Sequence, residues 1–524
     1  MPFFDLAHLD ILRSAVEGKD PERVLQVICS ALAEATRSSL ADITLPQEFA
    51  YAINTFERMS TPFVSQWDKD KLPPPVGPYP YLAHETAKAI CLMLSANGPV
   101  LVNGTVGAGR ETPFAAQRLW QDCHGWLIAS EAWAALSFAK TKLKRELQMD
   151  RMVLQFKENR LVHAQFLLDV VAENPAVPEQ HAPDMSRFHK LVDTPASRDE
   201  LRAVFMAIYG IELWPLRVLF KFVREKQKGK LAGEVGLYGI DTLAHLIQDA
   251  HGKSSVELAA CKRFVDDAMR RWTAVSKAYH DACFDAKSPW LKVTPRAFAM
   301  LPVIDRGKPM ALMCASATDM TVYEIAHDAM RGQVEIPAGN EGVGRMRQQL
   351  QTRGSTHLAW YQLQFAGIEK PFDSNKVLTD RYACYVAEGK AVAGVEVPQA
   401  CNDLDLVVFD RNRKQVTVCE CKYASGAVRT PEFRDEFDRF DKETGEIWRD
   451  QLRPRIDWLR KNLHVMAISD WETGMAGWTV EGCILTNIAP RALLAAYGDL
   501  PGTRAVGSPA ASEFLFGTGT SASE

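Results

Sequence analysis

The stretch that decides the fold of the C-terminal part of the chain is Asn402 to Tyr423, which reads NDLDLVVFDRNRKQVTVCECKY. It holds two apolar runs, Asp403 to Asp410 and Gln415 to Tyr423, separated by the polar residues Arg411 to Lys414. Both runs are short and strongly apolar apart from isolated charges, which favours strands. The pattern predicts two neighbouring strands joined by a tight polar turn.

Charged side chains interrupt these two apolar strands. Because successive side chains of a strand point to opposite faces, each strand divides into two sets. The sets that carry the charges are Asp403, Asp405, Val407 and Phe409 in the first strand, and Val416, Val418, Glu420 and Lys422 in the second. Strands this apolar are expected at the centre of a sheet that is covered on both faces. A charged side chain there is costly unless it is paired or binds a metal.

Asp405, Glu420 and Lys422 therefore need a chemical explanation. Two carboxylates on adjacent strands can converge on one hard cation, and Mg²⁺ typically takes one or two carboxylates together with waters and phosphate oxygens. Lys422 points to the same side as Glu420, where it can hold an attacking water or stabilise charge on a phosphate. The alternative is a buried ion-pair cluster of these three residues in an ordinary α/β domain.

The residues around this stretch predict further helices and strands. Apolar spacing indicates a helix over Val377 to Glu388 that ends at Gly389, a plausible glycine C-terminal cap. Further predicted elements are a strand over Ala391 to Val397, a helix over Glu432 to Asp441, helical spacing from Trp448 to Leu463 that restarts at Pro454, and a strand over Trp478 to Asn487.

This order of elements resembles the PD-(D/E)XK nuclease superfamily, which has the restriction-endonuclease-like fold. In that pattern a helix and a strand are followed by a strand that carries Asp, a strand that ends in Glu-x-Lys, and a second helix. Asp405 matches the metal-binding aspartate of that family, and Glu420-Cys421-Lys422 matches its Glu-x-Lys motif. The resemblance covers Val377 to Asn487, about a fifth of the chain. The chain departs from the family at Leu404, which stands where a proline precedes the aspartate.

The resemblance implies a metal-dependent endonuclease that hydrolyses phosphodiester bonds, with DNA favoured over RNA as substrate. It implies Asp405, Glu420 and Lys422 as catalytic residues. Mg²⁺, for which Mn²⁺ can substitute, would be held by Asp405, Glu420 and the backbone carbonyl of Cys421. Many relatives also have a supporting acid, for which Asp380 and Glu388 are candidates here, and a glutamine or arginine on the following helix, for which Gln451 and Arg455 are candidates. Asp403 is a possible supporting acid and the alternative to Asp405 as metal ligand, but it lies nearer the start of the strand, so Asp405 is preferred.

The first 290 residues are predicted to be mainly helical. Apolar residues recur at three- and four-residue spacing in five segments, which are Ala50 to Met59, Glu85 to Ala96, Thr112 to Asn174 with breaks, Ser197 to Lys230 and Ser255 to Lys287. Short apolar runs at Phe298 to Val303 and Met310 to Ala315 predict a hairpin. Thr321 to Arg331 is predicted to be a helix, and the glycine-rich Ala338 to Gly344 a loop.

These patterns together predict a multidomain fold with a mainly α-helical N-terminal region and a C-terminal α/β domain of the restriction-endonuclease-like kind. Residues 1–290 form the helical region, for recognition, sensing or partner binding, and residues 291–370 a mixed α/β connecting region. Residues 371–500 form the nuclease-like domain, with a mixed central sheet flanked by helices. Residues 501–524 are rich in small residues and are predicted to be a flexible tail.

A basic cluster in the helical region is a candidate for contact with nucleic acid. It runs from Arg217 to Lys230 with Phe220 and Phe222 interleaved, and its candidate contacts are Lys221, Arg224, Lys226 and Lys228. Such a stretch can track a phosphate backbone, and the alternative is an ordinary solvated helix face.

A glycine-rich stretch from Gly104 to Glu111 superficially resembles a phosphate-binding loop. Arg110 replaces the lysine of that motif and Glu111 replaces the serine or threonine, which removes the Mg²⁺-binding hydroxyl. A glycine-rich turn before a helix is the better interpretation. A nucleotide-driven switch is the function that this stretch would serve if it did bind phosphate.

Composition narrows the class of protein. The chain carries 61 basic and 65 acidic residues, a formal net charge of −4, which argues against a generally basic protein that coats nucleic acid. It has no apolar run of membrane-spanning length and no basic leader, so we expect a cytoplasmic protein without membrane contact. Its 11 cysteines include no Cys-x-x-Cys pair, which indicates reduced, mostly buried thiols.

A large helical region beside one nuclease-like domain is most typical of an antiviral-defence or restriction-type effector, by analogy at the level of fold. Self-association, or a partner protein bound through the helical region, is also expected. The alternative function is a non-catalytic scaffold that binds nucleic acid or protein through a nuclease-like fold.

Overall fold

A computed structural model of the chain shows helices together with mixed sheets. It describes residues 21–64, 80–102, 114–141, 195–227, 235–252, 256–285, 287–330, 376–386, 391–401, 404–422, 451–468, 471, 475–486, 503–507 and 514–516. The chain divides into two compact units. We call residues 1–170, 202–325 and 428–431 the N-terminal unit, and residues 171–201, 326–427 and 432–524 the C-terminal unit.

Long helices dominate the chain up to residue 330. They are α1 (Pro21–Ala41), α2 (Pro46–Val64), α3 (Pro80–Leu94), α4 (Phe114–Thr141), α5 (Pro195–Tyr209), α6 (Trp214–Gln227), α7 (Ile240–His251), α8 (Leu258–Cys283) and α9 (Ala315–Met330). The helix predicted over Ala50 to Met59 lies within α2. The helix predicted over Glu85 to Ala96 lies within α3, except for its last two residues. The periodic apolar residues of α2, α3 and α8 build one shared core around Phe56 and Trp272.

A four-stranded sheet packs among these helices, in the order β1-β3-β4-β2. Its strands are β1 (Val100–Leu101), β2 (Gly236–Tyr238), β3 (Met300–Asp305) and β4 (Lys308–Met313). The predicted hairpin is confirmed: β3 pairs antiparallel with β4 across Arg306 and Gly307, whose φ angles of 49° and 76° suit a two-residue hairpin turn. Because β1 pairs with β3 and β2 with β4, this sheet joins strands from both sides of residue 290.

Glu57, in the middle of α2, caps the first turn of α9. It is fully buried, and its Oε1 accepts a hydrogen bond of 2.7 Å from the backbone N–H of Ser316. Its Oε2 accepts a longer one, 3.4 Å, from the N–H of Ala317. A carboxylate suits this place because the first N–H groups of a helix have no partner within the helix and carry partial positive charge.

The C-terminal unit contains a six-stranded mixed sheet in the order β12-β11-β10-β9-β6-β5. Its strands are β5 (Lys376–Leu378), β6 (Tyr382–Val386), β9 (Leu406–Asp410), β10 (Gln415–Lys422), β11 (Thr479–Thr486) and β12 (Thr503–Gly507). β10, β11 and β12 run parallel, whereas β10, β9, β6 and β5 run antiparallel. The predicted central strands and the turn between them, Arg411 to Lys414, are therefore confirmed.

Helix α10 (Arg453–Asn462) covers one face of this sheet, with Pro454 in its first turn, where proline is tolerated. Its Ile456 and Leu459 pack in one core with Val407 and Val418 of the two central strands. The other face of the sheet packs a second core that includes Cys419, Cys421 and Phe516.

The helix predicted over Val377 to Glu388 is wrong, because β5 and β6 occupy this segment. Tyr382 and Cys384 pack in the core on one face of the sheet and Ala383 in the core on the other. A strand that is buried on both faces is apolar throughout, and spacing alone does not distinguish such a run from a helix.

Two further predictions for this part of the chain need correction. Ala391 to Val397 is not one strand but a small hairpin of β7 (Ala391–Val392) and β8 (Val395–Glu396), because Ala393 and Gly394 turn the chain with φ angles of 49° and 83°. The flexible tail predicted from residue 501 is wrong for β12, which pairs with β11, and for Phe516, which is fully buried. Small residues do not prevent an edge strand, since its pairing uses backbone groups.

Several predictions fall outside the described residues. They are the helix over Glu432 to Asp441, the loops at Gly104 to Glu111 and Ala338 to Gly344, and the helical segment after Thr141 up to Asn174.

The described helices were compared with the requirements of a membrane span. None of them alone has the length and apolar composition to cross a bilayer. One bent pair, Leu201–Tyr209 with Trp214–Arg224, meets those requirements by length and composition only.

Candidate active site

Asp405 and Glu420 lie at the same end of two paired central strands. In the antiparallel pairing of β9 with β10, Leu406 is opposite Cys419, so one further step of the same register puts Asp405 opposite Glu420. Asp405 comes directly before β9 and is partly buried. Its Oδ2 accepts a hydrogen bond of 2.7 Å from the backbone N–H of Cys421. The two acidic groups singled out in the sequence are thus brought together.

The faces predicted from strand alternation are confirmed. Val407, Val416 and Val418 pack in the core beneath α10, and Glu420 follows Val418 on that face. Cys419 and Cys421 pack in the core on the opposite face. The cysteines of β10 therefore serve apolar packing, while its charged residues are directed toward α10.

Glu420 is held between two cations. Its side chain is buried, and Oε1 lies 3.1 Å from Nζ of Lys422. Its Oε2 accepts a hydrogen bond from Nη1 of Arg455. Arg455, from α10, is also buried, and its Nε donates a hydrogen bond of 2.7 Å to the carbonyl of Cys401. Lys422 keeps 31% of its side chain exposed, so this cation can meet a ligand from solvent.

The acidity of Asp405 is strongly perturbed. Burial, followed by the negative charge of Glu420, raises the pKa of Asp405 from 3.8 to about 7. The Cys421 N–H, Arg455 and Lys422 oppose this rise. Perturbed carboxyl groups of this kind cluster at functional sites, although structural ion-pair networks produce them as well.

The raised pKa of Asp405 predicts a pH-dependent stability in metal-free protein. The folded state binds this proton more tightly than the unfolded chain does, so ionisation opposes folding. This cost is absent below the unfolded pKa of 3.8 and grows until the pH passes about 7. In EDTA, Asp405→Asn is therefore expected to stabilise the protein by about 2–4 kcal/mol at pH 8 and to have little effect at pH 4. Urea unfolding at pH 4 and pH 8 measures this change in the free energy of unfolding.

The exposed Asp457, on α10, provides the matched control for this measurement. Asp457→Asn should change the free energy of unfolding by less than about 0.5 kcal/mol at both pH values. An Asp405→Asn effect that is equal at pH 4 and pH 8 would contradict the assignment of a raised pKa to Asp405.

The donor atoms of the site fit a hard divalent cation. The carboxylates of Asp405 and Glu420 and the backbone carbonyl of Cys421 are oxygen groups of the kind that Mg²⁺ takes, since it commonly binds one or two carboxylates and completes its shell with water. Within the described ranges, no group of three or more His, Cys, Asp or Glu side chains forms a metal site. Asp403 and Glu388, the predicted supporting acids, lie outside the described residues.

Of the other predicted supporting residues, the structure describes Asp380, which is exposed between β5 and β6, and Gln451. Gln451 lies in a π-helical turn directly before α10, four residues before Arg455. Its Oε1 is buried and has no hydrogen-bond partner in the described part of the chain. A buried polar atom without a partner is unusual in a folded protein, which marks Gln451 as a group with capacity to bind a ligand.

Asp410, at the other end of β9, is a carboxylate whose role the sequence analysis did not identify. It is buried and receives two hydrogen bonds from Arg381, of 3.2 and 3.0 Å. Its Oδ1 also accepts the backbone N–H groups of Asn412 and Arg413 in the turn. The signal for this structural role was present, since an aspartate directly before a polar turn commonly bonds the backbone two residues on.

The basic cluster of the helical region does not form one exposed stripe. Lys221 is exposed, whereas Arg224 is buried. The side chains of Lys226 and Lys228 lie outside the described residues. Arg217, two turns before Arg224 on α6, pairs with Asp319 at 2.9 Å. The buried state of Arg224 disfavours its predicted role as a contact with an extended phosphate backbone.

Comparison with protein-family models, curated proteins and solved structures gives no significant match for this chain.

Proposed function

We propose that the C-terminal unit is a metal-dependent endonuclease of the PD-(D/E)XK kind, which hydrolyses phosphodiester bonds. The single observation that supports this most strongly is the meeting of Asp405 and Glu420 across two central strands, with Nζ of Lys422 3.1 Å from Glu420. Two carboxylates and a lysine are the groups that such a reaction needs, and Lys422 is partly open to solvent.

In this proposal Asp405, Glu420 and the carbonyl of Cys421 hold Mg²⁺, for which Mn²⁺ can substitute. The bound cation supplies positive charge to the phosphate oxygens and lowers the pKa of a water molecule. Lys422, a cation paired with Glu420, would orient the attacking water and stabilise the charge that develops on the phosphate oxygens. The Cys421 N–H fixes Asp405, since it already donates to Oδ2.

Arg455 acts in this proposal as a positioning residue. Its hydrogen bonds to Glu420 and to the carbonyl of Cys401 tie α10 to the end of β10. The guanidinium also compensates the charge of a buried carboxylate, which would be costly if it had no cation beside it. Gln451, whose Oε1 has no partner in the described part of the chain, is proposed to contact the substrate or a metal-bound water.

DNA is proposed as the substrate in preference to RNA, and antiviral defence or restriction as the biological role. Both rest on the resemblance to the superfamily and on analogy of fold. The N-terminal unit is proposed to recognise the substrate or a partner, or to mediate self-association.

The proposal is tested with the purified full chain on supercoiled plasmid, single-stranded DNA and RNA. Cleavage is expected with Mg²⁺ or Mn²⁺ and not with EDTA. Asp405→Asn should abolish it because a carboxylate ligand is lost, whereas the exposed control Asp457→Asn should cleave like the original chain. Cleavage that survives in EDTA or in Asp405→Asn would refute the proposed site.

A non-catalytic scaffold is the second candidate, and one observation favours it. Both oxygens of Glu420 are already paired, one with Lys422 and one with Arg455, as in a structural ion-pair cluster. A scaffold predicts binding of nucleic acid or protein without cleavage under any metal, and no loss of that binding in Asp405→Asn. Gel-shift and cleavage assays on the same variant separate the two functions.

A further inference from the structure

The turn between β9 and β10 is basic and lies at the end of the sheet away from the proposed nuclease site. Its four residues, Arg411 to Lys414, are all exposed. Arg381, directly before β6, lies beside this turn, since its carbonyl accepts a hydrogen bond of 2.9 Å from the N–H of Arg411. Gln415, at the turn end of β10, is five residues from Glu420, which is about 17 Å along an extended strand. The proposed nuclease site therefore does not account for these cations.

Two arginines of this region share the buried carboxylate of Asp410. Arg381 donates a hydrogen bond from Nε to Oδ1 at 3.2 Å and from Nη2 to Oδ2 at 3.0 Å. Nε of Arg413 lies 3.5 Å from the same Oδ2. Because both side chains contact one oxygen atom, the two guanidinium groups are neighbours. One carboxylate does not neutralise two guanidinium groups, so this arginine pair keeps an excess of positive charge.

Both members of the arginine pair are held in place and yet partly open to solvent. The side chains of Arg381 and Arg413 are 33% and 38% exposed. Cζ of Arg381 lies 4.7 Å from the centre of the Tyr382 ring, and Nη1 of Arg413 donates a hydrogen bond of 3.2 Å to the carbonyl of Phe514. These contacts use only part of the five N–H donors of each guanidinium, so each can also bind the oxygen of a ligand.

Lys414 adds a third cation to the arginine pair. It is exposed and directly follows Arg413. Two acids oppose these three cations: Asp410, which is buried between the arginines, and Asp380, which is exposed directly before Arg381. The balance stays positive, and the part of it that reaches solvent is carried by side chains with several N–H donors.

Arg411 is different from the other cations of the turn. Its Cζ lies 5.8 Å from the centre of the Trp471 ring, and the sequence neighbours of Trp471 are the acids Asp470 and Glu472. The group of cations that a ligand can use therefore consists of Arg381, Arg413 and Lys414.

We propose that Arg381, Arg413 and Lys414 bind the phosphate backbone of a nucleic acid. Arginine presents its donors in a planar fork that matches the oxygens of phosphate, and side chains that are already held in place lose less entropy on binding. Because the three cations lie on an exposed turn, they do not enclose a small molecule, whereas an extended polyanion contacts all of them at once. Such contacts orient the nucleic acid without reading its sequence.

Fluorescence anisotropy of labelled duplex DNA, single-stranded DNA and RNA with the full chain in EDTA tests this proposal. Without metal, binding is measured apart from the proposed cleavage. Arg413→Gln combined with Lys414→Asn is expected to raise the Kd for duplex DNA at least ~10-fold at low salt. The slope of log K against log salt concentration should become shallower by about 1.8, since each lost phosphate contact accounts for ~0.9. Asparagine suits position 414, where φ is 50°.

Arg270→Gln combined with Arg271→Gln is the matched control. It removes two consecutive exposed cations from α8, and Arg270, like Arg413, is paired with an aspartate, Asp267 at 2.6 Å. This control should bind like the original chain. The proposal is overturned if the original chain binds none of the three nucleic acids, if the variant at 413 and 414 keeps its Kd, or if the control loses affinity to the same extent.

Lys414→Asn alone keeps the test decisive if the double variant does not fold. This change leaves both contacts of Arg413 in place and should make the salt slope shallower by about 0.9. An unchanged slope would remove Lys414 from the binding surface. A chain that cleaves in Mg²⁺ but whose variants bind like the original would overturn this proposal alone, whereas a chain that binds as expected but does not cleave would overturn only the proposed nuclease.

Discussion

Replacing Lys422 by Met is expected to reduce the rate of phosphodiester cleavage by about 10²–10³-fold, the range for loss of one group that stabilises charge in the transition state. Nζ of Lys422 lies 3.1 Å from Glu420 and its side chain is 31% exposed, so it is the cation of the site that can reach a substrate. Methionine retains the length of the stem and removes the charge. The expected loss is therefore in kcat rather than in the fold.

The stability of Lys422→Met should change little. A partly exposed ion pair contributes about 0–1 kcal/mol, and Arg455 still pairs with Glu420 in the variant. Urea unfolding and plasmid cleavage measured on the same preparation separate loss of activity from loss of fold.

Lys461→Met is the matched control for Lys422→Met, since it removes an exposed lysine from α10. It should cleave at the rate of the original chain. If Lys422→Met cleaved at the rate of the original chain, Lys422 would have no role in the reaction. If Lys461→Met lost cleavage to the same extent, the loss would reflect the removal of any positive charge and not the position of Lys422.

Replacing Arg455 by Met is expected to lower the free energy of unfolding by about 3–5 kcal/mol, the range for removing one partner of a buried ion pair. Glu420 would keep only Lys422 as a partner, and the carbonyl of Cys401 would lose its hydrogen bond from Nε of Arg455. Both groups are buried, so neither is rehydrated fully. Urea unfolding at pH 7 measures the change.

A double-mutant cycle tests whether the cost comes from the charge left on Glu420. Glu420→Gln in the Arg455→Met background removes that charge and is expected to recover at least ~1 kcal/mol. The exposed control Lys461→Met should change stability by less than about 0.5 kcal/mol. An Arg455→Met protein as stable as the original chain would contradict the proposed function of Arg455 in holding Glu420.

Much of the C-terminal sheet could be predicted from local pattern. The strands β9 and β10 were evident because apolar residues, a polar turn and the isolated charges at Asp405 and Glu420 follow one another within a short stretch. The hairpin of β3 and β4 was evident for a similar reason, since Gly307 supports the turn between two apolar runs. Short-range patterns of this kind depend on residues that are neighbours in the chain.

The wrong predictions of secondary structure fall where burial within the folded sheet overrides the local sequence pattern. Tyr382 to Val386 reads as a helix because both faces of β6 are buried by elements distant in sequence. Residues 503–507 read as a tail because an edge strand paired through its backbone needs few apolar side chains. In both cases the pairing partner lies outside the segment itself: β9 for β6, and β11 for β12.

The sequence by itself determined the central strand pair, its polar turn, and the three residues Asp405, Glu420 and Lys422 as the groups that need an explanation. Only the tertiary structure decided that Arg455 reaches Glu420, that the Cys421 N–H holds Asp405, and that Arg224 is buried. The physical reason is distance along the chain. Alternation and turn chemistry act over a few residues, whereas a helix 35 residues from Glu420 in sequence supplies the charge that holds it.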